Sequence, residues 1–345
     1  MASINQTAFE QIEKILLHFP KFNLSNQTTV SRQLNDVISG SIYLMDHINL
    51  HWKRVEKVYY DQILASRRKY RNIIVEDCAA DESEENLLKF LHKHSTIWNS
   101  ITLYGNEFHV GTVQKILEIA GKSLVELKME LKCQDLPEIA SAQLPKLQKF
   151  EYTFDDDQTS KYVMELLGRL KSLKYLSLGK CAIDEKSLQT IVGVEATELL
   201  LENCSFDCDE RVALVGNEQL EVLTITTEDN SSFRDEYVIQ KIIETCPKLT
   251  TLNIEWMNIG FETSLTIAKK AKNLKNLRID CTKFDPITLP TVEIFETFGC
   301  SIDDVIKFVR INSQLKKIIC LPMMYDYTGF RKALSENPKF EVEYV

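Results

Sequence analysis

The sequence predicts an α/β fold, a horseshoe-shaped solenoid with short parallel strands inside and helices outside, preceded by a small helical domain. Three observations carry that expectation. The stretch Leu173–Ile183, LKYLSLGKCAI, alternates Leu176 and Leu178 on one strand face, turns out at Cys181 and returns inward at Ile183. Eleven other pairs of apolar residues, two positions apart, recur along the chain. Most of the segments between them carry apolar side chains at helical spacing.

The unit reads L-x-x-L-x-L-x-x-C-x-I, the pattern of a leucine-rich repeat. A small, weakly polar side chain such as Cys181 fits inside the exit turn and meets backbone groups there. Asp184 stands where a helix cap is expected, and Leu188, Ile191 and Val192 give the next helix its apolar face. One such unit cannot bury that face alone, so it requires neighbours. They are Ile73/Val75, Ile101/Leu103, Leu127/Met129, Phe150/Tyr152, Leu199/Leu201, Leu223/Ile225, Leu252/Ile254, Leu277/Ile279, Val292/Ile294, Ile318/Cys320 and Val342/Tyr344. With Leu176/Leu178 in place, first members are 28, 26, 23, 26, 23, 24, 29, 25, 15, 26 and 24 residues apart. Most steps fall in the window of roughly 20–29 residues for such repeats. A step of 15 has no room for a strand, a helix and two turns, so that repeat is expected to lack its helix.

Residues 1–52 lie outside the repeat and read as three helices. Phe9, Ile12, Ile15, Leu16 and Phe19 make an apolar stripe that Pro20 stops. A second segment ends near Ile38, and a third holds Ile42, Leu44, Met45, Ile48, Leu50 and Trp52. Helices this short need the solenoid end or a partner to cover them. The stretch FEQIEKILLHFPKFNLSNQTTVSRQLNDVISGS, from Phe9, resembles an F-box. Its apolar-Pro pair is Phe19-Pro20. Asn23-Leu24 stands for the family's Asp-Leu, and Val30-Ser31-Arg32-Gln33-Leu34 follows five residues later for Val-Cys-Arg-x-Trp. A downstream Leu-Trp corresponds to Leu50-His51-Trp52 or to an earlier apolar site. The opening Leu-Pro is missing, and Ser31 and Leu34 replace Cys and Trp. With Cys-containing repeats behind it, the whole chain resembles an F-box and leucine-rich-repeat protein.

Residues 53–71, KRVEKVYYDQILASRRKYR, are the one basic stretch of the chain. They read as a linking helix and edge strand, or as a docking point for an acidic partner. Residues 72–345 are the solenoid. Its helices are marked by Leu87, Leu88 and Leu91; Val113, Ile116, Leu117 and Ala120; Tyr162, Val163, Leu166 and Leu167; Val238, Ile239, Ile242 and Ile243; Leu265, Ile267 and Ala268; and Val305, Ile306, Phe308 and Val309. The closing strand FEVEYV carries Glu341 and Glu343, charges that protect an edge from further pairing.

At 345 residues one compact core is not expected, whereas a solenoid grows by repetition. A net charge of −9 argues against nucleic-acid binding. No apolar run reaches the roughly 18 residues of a membrane span, and residues 1–20 show no signal pattern. Nine cysteines without such a signal are expected to be reduced thiols of a cytoplasmic or nuclear protein. Cys78, Cys181, Cys204 and Asn106 hold turn positions, a demand of the fold. Cys204 and Cys208 have no partner pair at zinc-site spacing. His47 and His51 stand at i, i+4 without a metalloprotease pattern, and His92 and His94 are expected at an exposed helix end. Asp155-Asp156-Asp157 lacks the spaced ligands of a calcium loop and suits a helix N-terminus. No phosphate-cradling glycine loop, nucleophile elbow or kinase set is present, so no enzyme, metal or cofactor is expected.

The resemblance implies a substrate adaptor of a Skp–cullin–F-box ubiquitin ligase. The F-box would hold a Skp-type adaptor, and through it a cullin–RING ligase, while the repeats hold a protein substrate. Ile12, Ile15, Leu16, Pro20, Leu24, Val30 and Leu34 would form the F-box surface and its support. The departures from the F-box pattern keep a second reading open, a repeat scaffold that no longer engages the ligase. By strand alternation the concave face would show Glu76, Glu126, Glu130, Glu151, Glu198, Glu202, Glu255, Asp280, Glu293, Glu341 and Glu343, against the fewer cations Lys128, Lys149, Arg278 and Lys317. Tyr104 and Tyr175 share that face and Trp256 its rim. Such positions are either simply polar or a dock for a basic protein segment. The substrate residues singled out are Glu126, Glu151, Tyr175, Glu198, Glu202, Glu255, Trp256 and Asp280.

Overall fold

The computed structural model describes Ile38 and residues 41–344, except 47, 53–59, 67, 78–81, 106–109, 132–136, 155–160, 209–213, 215, 228–232, 258, 281–283, 322–327 and 337–340. The F-box positions from Ile12 to Leu34 lie outside the described residues, as do His47, Cys78, Asn106 and the Asp155–Asp157 run. The chain divides into two compact units, Met1–Glu151 and Tyr152–Val345.

In the first unit helix and strand alternate: α1 (Ile42–Met45), β1 (Asn49–His51), α2 (Tyr60–Ala65), β2 (Asn72–Glu76), α3 (Glu82–Lys93), β3 (Ser100–Gly105), α4 (Val110–Ala120), β4 (Glu126–Leu131), α5 (Pro137–Ser141) and β5 (Lys149–Thr153), within which the boundary falls. Strands β1 to β4 pair in parallel in chain order, with Leu50, Ile73, Ile101 and Leu127 in one register row. Val75, Leu103 and Met129 form the next, and both rows are buried from Ile73 onward. Each fully buried side chain of this size stabilises the fold by roughly 1.5–3 kcal/mol. Trp52 stacks on Tyr60 at 5.2 Å and on Phe90 at 5.6 Å, and Trp98 meets Phe90 at 5.8 Å.

Three expectations change here. The third N-terminal helix is only Ile42–Met45, because Ile48, Leu50 and Trp52 follow the two-residue period of a strand. The ladder therefore begins inside the span given to the helical domain, and His51 is a strand residue. His94 is not at an exposed end; it is 6 % exposed, with His92 outside it in solvent. Within the basic stretch, Arg71 pairs with Asp46 at 2.6 Å and Tyr70 is buried.

The second unit carries α6 (Lys161–Leu167), β6 (Tyr175–Gly179), β7 (Ala182–Asp184), α7 (Glu185–Val192), β8 (Glu198–Glu202), β9 (Ser205–Asp207), β10 (Val222–Thr226), α8 (Phe233–Thr245), β11 (Thr251–Glu255), α9 (Phe261–Lys270), β12 (Asn276–Asp280), β13 (Ile294–Thr297), α10 (Ile302–Ile311), β14 (Lys317–Cys320), α11 (Thr328–Glu336) and β15 (Glu341–Tyr344). β6, β8 and β10 to β15 pair in parallel in that order, and β7 pairs with β9 across two exit turns. Leu176, Leu199, Leu223, Leu252 and Leu277 form one buried row; Leu178, Leu201, Ile225, Ile254 and Ile279 form the other. α7 starts where Asp184 Oδ1 accepts the Ser187 N–H at 2.7 Å, the cap read from sequence. α9 starts at Gly260, which brings no capping side chain; its N–H donates to Glu236 Oε1 of α8 at 2.7 Å. The buried face of α9 is Thr263, Ser264 and Ile267, whereas Leu265 and Ala268 are half-buried.

The pair Val292/Ile294 is corrected. Leu277 stands opposite Phe295 in the β12–β13 ladder, and Phe295 stands opposite Ile318. The buried pair is therefore Phe295 and Thr297. Val292 is buried just before the strand, at the place that Leu274 and Leu315 hold in the neighbouring repeats, and Ile294 takes the opposite face. The polar Thr297 hid the register. The missing helix is as expected: among the described residues none lies between β12 and β13.

Candidate protein-binding surface

Each strand buries one set of side chains and leaves the alternate set on the other face of the sheet. In the first unit that second face carries Glu76, which accepts the Tyr104 hydroxyl at 2.7 Å, and Glu126, Lys128 and Glu130 of β4. Glu151 takes Lys128 at 3.2 Å and Lys149 at 2.8 Å. Burial raises the Glu151 pKa, but the hydrogen bonds and fields of the two lysines outweigh it, and its carboxyl titrates below the ordinary range. Both basic residues assigned here are thus already paired within the face.

In the second unit the register aligns the face in rows. Tyr175 stands beside Glu198 at the start of the strands. At their ends Glu202, Thr226, Glu255 and Asp280 follow one another across β8, β10, β11 and β12. Between the rows Arg278 reaches Glu255 at 3.2 Å and Glu296 at 3.4 Å, and its guanidinium lies 5.1 Å from the Phe298 ring centre. Glu255 titrates above the usual carboxylate value. Burial is the main cause; Arg278 pulls the other way, and Asp280, Glu296 and Glu202 push upward. One guanidinium thus faces four carboxylates, and the row stays acidic.

Trp256 ends β11. Its N–H donates to the Asp280 carbonyl at 2.6 Å, and its carbonyl accepts the Thr227 hydroxyl at 2.9 Å. The backbone is therefore held while the side chain is 60 % exposed. Its φ of 63° lies in the left-handed region. The residues that leave β2, β6 and β8 share that conformation, and they are Asp77, Lys180 and Asn203. Asparagine and aspartate tolerate it; a bulky ring does so at a cost. Trp256 thus combines a left-handed backbone with a largely exposed ring.

Of the eight residues singled out, Glu198, Glu202, Glu255, Asp280 and Tyr175 come together on one face of the second unit, with Trp256 at the strand ends. Glu126 and Glu151 belong to the first unit. Glu293 is not a face residue; it precedes β13 and pairs with Lys316 at 2.7 Å. Glu296 was missed, and the corrected β13 register is the signal that finds it. Lys317 pairs with Glu343 between β14 and β15. Cys181 and Cys204 fill adjacent exit turns with their sulfurs 3.2 Å apart, and Cys204 also meets the Leu178 and Glu202 carbonyls at 3.5 Å. Cys204, Cys246 and Cys320 are free cysteines. Among the described residues no three His, Cys, Asp or Glu side chains are grouped to hold a metal, and no helix is long and apolar enough to cross a membrane.

No protein-family model matches the chain, and no curated protein matches it. Among solved structures it is similar to a chain of the yeast Rad7 and Elc1 complex, at 11 % identity and a TM-score of 0.47, over 93 % of this chain and 94 % of that one.

Proposed function

We propose that this chain is a non-catalytic protein-recognition subunit and, on its F-box resemblance, the substrate adaptor of a Skp–cullin–F-box ubiquitin ligase in the cytoplasm or nucleus. The observation that carries recognition is Trp256, a strained and exposed aromatic beside the acidic row Glu202, Glu255 and Asp280. Aromatic anchors within a charged field are the usual make-up of a binding hot spot. The repeats position a partner and perform no chemistry. The test is co-purification with the Skp-type adaptor of the same organism. Wild-type chain should bring it down. A double charge substitution, Leu24→Glu with Val30→Glu, should abolish capture and leave the circular dichroism of the repeats unchanged. Failure of the wild-type chain to hold any such adaptor would leave the scaffold reading, in which the repeats bind a partner outside the ligase.

A further inference from the structure

We propose that a lysine-lined cavity at the N-terminal edge of the second unit's strands binds a phosphomonoester. The cavity measures about 620 Å³, a size that takes a small ligand. It is centred on the repeat that lacks its helix. Lys272 and Lys275 precede β12, Lys316 precedes β14, and Lys248 lies in the turn before β11. Glu221 and Glu293 complete the charged lining. Four ammonium groups against two carboxylates leave two positive charges in a chain whose net charge is −9.

These ammonium groups are only partly used. Lys316 pairs with Glu293. Lys248 donates to the Gln219 side-chain carbonyl at 2.9 Å, and Lys272 to the Ala268 backbone carbonyl at 2.8 Å; neutral acceptors leave both charges uncompensated. The Lys275 ammonium acts on Glu293 through its field, with no hydrogen bond or ion pair of its own among the described residues. Each ammonium offers three donors, so most remain free for a ligand. Lysines meet an anion as point charges, a common way of holding a phosphate. A phosphomonoester carries roughly 1.5–2 negative charges near neutral pH, which matches the excess.

Calorimetric titration of the full chain with glycerol 3-phosphate at fixed ionic strength tests this. One saturable site is expected. Its affinity should rise as pH increases through about 6, where the second phosphate proton leaves while the lysines stay charged. Sulfate, a dianion throughout, should show no such rise. Lys272→Gln with Lys275→Gln should weaken binding roughly tenfold or more, since each removes a charge-assisted bond. Both side chains are exposed, so folding is spared. Lys186→Gln, on the exposed side of α7, should change nothing. Tighter binding of a phosphoserine peptide than of glycerol 3-phosphate would assign the phosphate to a protein, and equal binding to a free ester. Absence of saturation, or a double variant that responds like the wild type, would overturn the proposal.

Discussion

Trp256 and His94 show how single residues depart from what the fold needs. Asn203 occupies the equivalent exit position in another repeat, so Trp256→Asn should relieve a left-handed strain of roughly 1–2 kcal/mol and raise the melting temperature. The chain has three tryptophans, and the other two, Trp52 and Trp98, are fully buried. The same variant should therefore remove nearly all iodide-quenchable fluorescence. A melting temperature that falls instead would mean the ring packs on the fold. His94 sits among Tyr70, Phe90 and Trp98, at 6.2, 4.9 and 5.9 Å between ring centres. Burial, with a smaller push from Lys93, lowers its pKa from 6.5 to about 4. The unfolded chain takes up this proton near 6.5 and the fold resists it until about 4, so stability should decline as pH falls through that window. His94→Phe should flatten that part of the pH profile in thermal melts. A slope identical to wild type would place the titration on other groups. From the sequence His94 looked like a helix-end residue, because its exposed neighbours His92 and Lys93 mask the three rings that packing gathers around it.

At the scale of elements, the strand ladder was legible because its apolar pairs repeat and a register error by one residue would turn every pair to the wrong face. Two places were not. Around Leu50 a six-residue apolar set fits helix and strand periods alike, and pairing with β2 decides it. At β13 the third apolar position of the repeat is filled by Thr297, so Val292 and Ile294 looked like the pair. This correction has a direct test. Phe295 is fully buried against Phe308, 4.3 Å between ring centres, and its truncation to alanine should cost roughly 3–5 kcal/mol. Ile294→Ser, on the half-buried opposite face, should cost well under half as much by denaturant unfolding. The reverse order of losses would favour the Val292/Ile294 register and take Glu296 off the face beside Arg278. The capping contacts behave as local units: Asp184→Ala should cost about 1 kcal/mol and leave the neighbouring repeats unchanged in hydrogen exchange.

At the scale of the whole molecule, the charge of −9 is concentrated where alternate strand positions meet solvent, and this was readable in advance because period-two alternation assigns faces without a structure. What the sequence left hidden is how much of that charge is already spent. Lys128 and Lys149 hold Glu151, and Arg278 holds Glu255 and Glu296, whereas Glu198 and Glu202 are exposed and enter no ion pair among the described residues. The free field should therefore come from Glu198, Glu202 and Asp280. A basic protein segment drawn to them should associate faster at low salt, since screening acts on the encounter. Glu198→Lys with Glu202→Lys should reverse the local field, lower the association rate and flatten its salt dependence. Trp256→Ala should leave association alone and speed release, because a contact made only after docking acts on the off-rate. Stopped-flow or surface-based kinetics with the captured partner separates the two effects. If neither variant changes either rate, the partner does not sit on the strand face, and the helical side or the exit loops become the surface to mutate.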